Sequence, residues 1–313
     1  MTHDAPVVER TNRRSGLVFA LISATTFGLS GPLAKGLLDA GWTPAAAVTL
    51  RSLVAATALL VPALLALRGR WGLLRRNAGL LAFYGIVPVA LTQLAYFNAV
   101  DHLQVSVALL IEYTAPVLVV GWLWLRYAQR PGRLTVAGAV LALGGLVLVL
   151  DVGSGAQLDT VGILYALGAM VGCAIYFIVN AQTDNGLPPL VLAAGGLLIG
   201  GLTLLTAGAV GLVAWHAADA PVALAGHDVA WWVPVLILGT VAAALSYVTG
   251  IEAARRLGSR LSSFFALFEV LAALVFSWLL LDQVPHSVQF VGGVLVLAGV
   301  VVVKLGEASR MDA

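Results

Sequence analysis

Two carboxylates lie inside long apolar runs, Glu112 within LLIEYTAPVLVVGWLWL and Glu269 within SSFFALFEVLAALVFSWLLL. Each run is long enough to cross a bilayer. A carboxylate at that depth costs several kcal/mol unless it faces partners or water, so each is by default a functional group. The chemistry open to it is ion or ammonium binding, or the carrying of a proton. At a rise of about 1.5 Å per residue, Arg51 sits roughly 10 Å from the outer end of its apolar run, with Glu112 and Gln93 at similar depth in theirs. Tyr96 and Asn98 lie shallower, on the path to the outer mouth. From the opposite face Glu269 is roughly 13 Å deep by the same rise. Ser263 is shallower on that run, and Ser246, Tyr247 and Asn180 are near the inner ends of theirs. The expected site therefore has an outer cluster (Arg51, Gln93, Tyr96, Asn98, Glu112) and an inner one (Asn180, Tyr247, Ser263, Glu269). Glu269 and Glu112 are the candidates for proton coupling. Arg51 and Glu112 have two open readings: a structural ion pair between helices, or a recognition pair for a zwitterion. Glu269 has no basic residue at its level, which favours a protonatable or solute-facing role over a glutamate merely hydrogen-bonded between helices.

The elements that must position these groups follow from composition. The 313 residues are 60% hydrophobic and 10% charged, with a mean hydropathy of +0.99, far from the balance of a water-soluble domain. A spanning helix needs about 20 apolar residues. Ten such segments are expected, at 16–38, 44–67, 78–100, 105–125, 134–150, 161–181, 187–215, 229–251, 261–281 and 288–305. The runs are continuous and lack the alternating pattern of barrel strands. The first is too long for a signal-peptide core. The fold class is thus an all-α membrane protein.

Charge sets an expected orientation. With the N-terminus cytoplasmic, 15 of the 17 Lys and Arg residues fall on the inner side, and only Lys35 and Arg51 do not. The positive-inside rule then puts both termini in the cytoplasm of a multi-pass plasma (inner) membrane protein. The chain also reads as a duplication. Residues 99–149 superpose on 253–303 at a constant offset, matching Trp124 with Trp278, Pro131 with Pro285, Gly138 with Gly292 and Gly145 with Gly299. Asp101, His102 and Ser106 face Arg255, Arg256 and Arg260, so one repeat position is basic in one half and not in the other. Five spans per half is an odd number, and the second copy must enter the membrane inverted, the architecture of secondary transporters. The expected organisation is a cytoplasmic tail over 1–15, a first five-helix repeat over 16–150, a linker over 151–160, a second repeat over 161–305 and a tail over 306–313.

Ten spans in two halves, together with AAAVTLRSL, LTQLAYFNAV, IEYTAPVLVV and SYVTGIEAARRLG leading into FFALFEVLAALVFSWLLLDQVP, resemble the EamA family of the drug/metabolite transporter superfamily over nearly the whole chain. Within it the chain is most similar to amino-acid exporters of the threonine/homoserine type. The resemblance implies a glutamate four residues before a span-four proline, matched by Glu112 and Pro116, and a second in span nine, matched by Glu269. Val270 departs from that pattern, which has proline there, and Asp282 stands in place of glutamate.

Other features are structural or exclude other classes. Lys35 reads as a side chain snorkelling to the interface, and Trp42, Trp71, Trp215, Trp231 and Trp232 as interfacial anchors. His102, His216, His227 and His286 are scattered over separate outer loops and form no metal site. The lone Cys173 excludes a disulfide framework. The Gly repeats around 137–145 and 292–299 suit close helix packing. Gly153-Ser154-Gly155 lacks the lysine of a phosphate-cradling loop, so ATP is not the expected energy source. The expected function is alternating-access export of small metabolites, amino acids foremost, without a cofactor and driven by a gradient. A multidrug exporter of the same fold is the alternative, and a membrane-embedded enzyme a remote third. The expected partners are a small-molecule solute and lipid, not nucleic acid; a monomer and a weak homodimer are both compatible.

Overall fold

The computed structural model describes residues 5–103, 105–149, 159–282, 284 and 286–311. The linker expected at 151–160 lies outside these residues except at its last two positions, and so does Pro285. The chain is a bundle of helices: α1 (Ala5–Phe27), α2 (Ser30–Asp39), α3 (Pro44–Leu67), α4 (Gly72–Arg76), α5 (Ala78–Tyr84), α6 (Thr92–His102), α7 (Val105–Glu112), α8 (Ala115–Tyr127), α9 (Arg133–Val149), α10 (Thr160–Asn180), α11 (Pro189–Ala209), α12 (Trp232–Gly239), α13 (Ser246–Phe265), α14 (Phe268–Leu281) and α15 (Ser287–Met311). Consecutive pieces join into rods. Among the described residues eight rods are long and apolar enough to cross a membrane, and Arg133–Leu148 and Phe268–Leu281 are shorter apolar helices. The longest rod, Trp232–Phe265, has 34 residues, roughly 50 Å if straight and too long for a hydrocarbon core of about 30 Å. Gly258 interrupts it with φ 78° and ψ 163°, a conformation glycine adopts without the clash a side chain would bring.

Local chemistry sets the helix starts. The Thr43 side chain accepts from Ala46 N–H, with Pro44 as the first helical residue, and Asp159 accepts from Val161 N–H, each satisfying a donor that the helix leaves orphaned. Two breaks matter more. Pro116 has no N–H to offer the Glu112 carbonyl one turn back, and the rod opens between α7 and α8. In α14 the equivalent residue is Val270, and the break persists: Glu269 and Val270 donate to Ala266 (2.8 Å) and Leu267 (3.2 Å), three residues back. The departure from proline therefore does not straighten this rod. Asp282, the other departure, is the left-handed C-cap of α14 (φ 55°), a conformation Asp tolerates better than most residues.

Two π-helical turns interrupt the rods at Gly85–Leu91 and Thr240–Leu245. Each is followed by a hydroxyl that bonds the carbonyl five residues back, Thr92 to Val87 (2.8 Å) and Ser246 to Val241 (3.0 Å). Such turns are frequent at functional sites. Between rods the backbones approach closely at glycine. A Cβ on Gly16 would lie 2.9 Å from the Arg256 Cβ, and one on Gly162 2.9 Å from that of His102. Along α9 and α15, a Cβ on Gly138 would be 2.7 Å from the Gly299 carbonyl oxygen, and one on Gly145 2.7 Å from that of Gly292. This is the small-residue packing by which helices associate in lipid.

The outer surface of the bundle is apolar. Leu65, Leu125, Val140, Phe290 and Val294 are each more than 60% exposed, which suits hydrocarbon and not water. The polar side chains Arg51, Asn180 and Ser263 are instead wholly or almost wholly buried. Between α11 and α12 an antiparallel hairpin pairs Val222–Leu224 with His227–Val229, an element that periodicity does not reveal in so short a stretch. Val222 and Leu224 pack on Gly36 of α2, and Ala225 N–H donates to the Leu280 carbonyl (2.7 Å).

Of the tryptophans expected at the interface, Trp42 is a correction: it is 4% exposed, donates to the Ala218 carbonyl (2.9 Å) and packs on Trp231 at 5.6 Å. Pinning the loop after α11 to the start of α3 removes it from the lipid boundary. Trp71 and Trp232 do face outward. Lys35 is 38% exposed and pairs with Asp39 one turn on (2.6 Å).

Candidate functional site

A cavity of about 60 Å³ opens among α1, the π-turn and α6 of the third rod, α7, α10, α13 and α14. With one water needing about 10–15 Å³ on this measure, it has room for about four to six waters. Of the sequence-expected residues, Gln93, Glu112, Tyr247 and Glu269 line it. Two residues of the expected outer cluster and two of the inner one thus share a single cavity. The helix breaks at 113–114 and 266–267 are the reason, because each interrupts its rod beside the glutamate concerned.

Arg51 does not line the cavity; it lies behind the wall, 1% exposed. Nor does it pair with Glu112: its ammonium-like charge is spread over hydrogen bonds to Gln93, Ser30 (3.2 Å) and the Ala242 carbonyl (2.8 Å). The Ala242 carbonyl lies within the π-turn at Thr240–Leu245. Since a guanidinium only donates, its contact with Gln93 fixes the amide oxygen inward and leaves the amide N–H₂ as the donor available to the cavity. The guanidinium also faces Phe27 (5.8 Å) and Phe97 (6.0 Å), a favourable arrangement for a buried cation. Of the two open readings of Arg51 and Glu112, the direct ion pair between spans two and four is absent among the described residues, and Arg51 instead forms a hydrogen-bonded knot joining four rods.

Glu112 is 8% exposed. Glu269 begins the last rod but one and is reached by the Tyr113 hydroxyl. The positive field of Arg51 acts on both carboxylates, although neither touches it. Tyr96, Asn98, Asn180 and Ser263 are not on the cavity wall. Asn98 donates to Leu94 on its own helix (2.7 Å) and Ser263 to Arg260 on its own (2.7 Å); Tyr96 packs edge-on to Phe97. Asn180 is fully buried at the end of α10.

The wall also carries residues missed by reading isolated polar groups, among them Ser23, Phe27, Thr92, Tyr113, Cys173, Tyr176 and Ser262. Helical spacing carried the signal for some. Ala20, Ser23, Ala24 and Phe27 recur every three or four residues on α1, as do Cys173, Tyr176 and Phe177 on α10, so each set shares one face. Among the described residues no group of three or more His, Cys, Asp or Glu side chains is assembled that could hold a metal ion.

A cavity that sets two carboxylates and an amide in a largely apolar wall, at the broken middle of an apolar bundle, is the form of a solute-binding site in membrane transporters. The model of the EamA-like transporter family matches the sequence twice, over residues 14–151 and 160–305. The chain belongs to the EamA-like transporter family. Two relatives of this EamA-like chain carry names that agree with that class. One is "Uncharacterized inner membrane transporter YicL" of Salmonella typhimurium, 21% identical over 96% of this chain and 98% of its own. The other is "Uncharacterized transporter YwfM" of Bacillus subtilis, 28% identical over 60% of this chain and 62% of its own. A chain in a solved crystal structure shares the fold, with a TM-score of 0.73 at 20% identity, covering 95% of this chain and 99% of that one. The EamA-like chain is therefore a multi-pass membrane protein of transporter type.

Proposed function

We propose that this transporter exports small zwitterionic metabolites, amino acids foremost, by alternating access of the cavity between α7 and α14. The observation that carries the reading is the lining: two carboxylates, Glu112 and Glu269, offer sites for an ammonium, while the Gln93 amide, held by Arg51, offers its N–H₂ to a carboxylate. Arg51 acts here as a positioning residue rather than as the direct ligand that depth alone suggests. A cavity with space for about four to six waters suits a solute of amino-acid size better than a bulky lipophilic cation. Phe27, Tyr113, Tyr176 and Tyr247 on the same wall are the feature favouring the second reading, a multidrug exporter taking aromatic or alkyl amines.

The architecture we infer is ten spans in two inverted five-helix repeats, 16–150 and 161–305, with both termini cytoplasmic. The paired contacts support it: Gly16 lies against Arg256 as Gly162 lies against His102, and the π-turns end in Thr92 and Ser246, 154 residues apart. Glu269, facing the cavity without an ion-pair partner among the described residues, is the residue we assign to proton coupling, with Glu112 as the second candidate.

The sole cysteine gives the test without mutation. Cys173 is on the cavity wall, so a bound solute should shield it from a small methanethiosulfonate reagent. In proteoliposomes L-threonine or L-homoserine should slow this labelling and drive counterflow of radiolabelled threonine. Protection by tetraphenylphosphonium with none by any amino acid would overturn the assignment in favour of the multidrug reading.

A further inference from the structure

Beside the cavity, behind Tyr176, lies a second group of buried polar side chains that the proposed site does not use. Tyr84 and Asn180 are fully buried, and Tyr176 is 7% exposed. The Tyr84 ring stacks on that of Tyr176 with centroids 6.3 Å apart. Its hydroxyl lies beside the Asn180 amide and within the field of Arg255. Tyr84 and Asn180 are each other's polar neighbours, but Tyr84 Oη, Tyr176 Oη and both polar atoms of Asn180 are buried without a partner in full hydrogen-bonding geometry among the described residues. So many unpaired buried donors in one place call for a ligand or ordered solvent.

Arg255 indicates which. Its Nη1 is anchored to the Leu187 carbonyl (2.6 Å), whereas Nε and Nη2 are buried with no partner. Those two N–H groups share one edge of the guanidinium plane, the edge that grips a carboxylate with two parallel hydrogen bonds. The nearby carboxylate on the same helix, Glu252, is committed to Arg256 (2.9 Å). With the Tyr84 hydroxyl and the Asn180 N–H₂ nearby, the donors around Arg255 outnumber the acceptors, and the group they suit is a carboxylate.

We propose that Arg255, Asn180 and Tyr84 form a carboxylate-binding subsite at the end of the bundle that carries the Leu187 loop, separated from the central cavity by Tyr176. Tyr176 belongs to both, lining the cavity and meeting Tyr247 edge-on at 5.6 Å. The absence of a side chain at Gly250 is what admits its hydroxyl. A solute carboxylate held at Arg255 would reach the cavity by a rotation of Tyr176. The subsite deepens the transport reading and rests on it for its purpose, while its chemistry stands alone.

The test uses the whole protein in lipid nanodiscs with arginine side chains labelled with ¹⁵N at Nε, titrated with sodium acetate against sodium chloride at constant ionic strength. The Arg255 signal is identified by its loss in R255K. Acetate should shift it saturably, and N180A should raise the half-saturating concentration at least tenfold. An Arg255 signal that follows the chloride control would overturn the proposal and assign the cluster to water; the parent titration alone decides this should N180A fail to fold. Cys173 protection by L-threonine, run on the same sample, separates the two claims. Acetate binding without threonine protection supports the subsite and removes the amino-acid reading; threonine protection without an acetate shift does the reverse.

Discussion

Replacing Arg51 with lysine isolates what the buried fork contributes, because charge is kept and only its geometry changes. The guanidinium reaches Gln93 from Nη1 and both Ser30 and the Ala242 carbonyl from Nη2, acceptors carried by three different rods. One ammonium nitrogen on a flexible stem cannot occupy both nitrogen positions. At least one acceptor is left unpaired in a region of 1% exposure, at about 1–3 kcal/mol; losing both Nη2 partners doubles that to about 2–6 kcal/mol. Unfolding in detergent, followed by the accessibility of Cys173 to a thiol-reactive dye, should report a loss within that range. The lysine variant should also lose protection of Cys173 by L-threonine more than by methylammonium, since a freed Gln93 no longer aims its N–H₂ at a carboxylate while Glu112 and Glu269 remain. A variant that melts with the parent and binds both solutes as the parent does would refute the knot and its positioning role together.

Glu112→Gln should weaken export of amino acids at least tenfold more than that of uncharged analogues, measured by counterflow; equal losses for both would mark Glu112 as structural. Glu269→Gln removes proton exchange while preserving shape, so it should abolish acceleration by an imposed pH gradient yet leave solute exchange measurable in liposomes. A parental response to the gradient would pass the coupling role to Glu112 or leave a uniporter. Cysteines introduced at the exposed positions Arg130 and Val284, with Cys173 replaced by Ala, should react with an impermeant maleimide from opposite sides of the membrane; labelling from one side alone would sink the inverted repeat.

The sequence by itself determined the class of this protein and the depth of its few polar side chains along their apolar runs. Apolar runs of bilayer length, interrupted by few charges, have no alternative to helices in lipid, since every backbone polar group must be satisfied within its own segment. That argument also singled out Glu112 and Glu269, as no soluble-type solvation is available at their depth. Glycine made part of the local geometry legible: the repeats at 137–145 and 292–299 suit close helix packing, and the structure supplies it where α9 meets α15. Depth along a helix, however, is one coordinate of three. Which way a side chain turns depends on rod tilt and on where the hydrogen-bond ladder opens. The break at 266–267 occurs although Val270, not proline, follows it, and the Ala242 carbonyl that accepts from Arg51 lies in a π-turn whose sequence, TVAAAL, contains no signal for it. Only tertiary packing brought Glu112 and Glu269 to one cavity, moved Arg51 from Glu112 to Gln93, and buried Trp42 under a loop 176 residues away in sequence. These outcomes are set by contacts between rods whose apolar faces are chemically alike, so the residues of any one rod do not encode its neighbours.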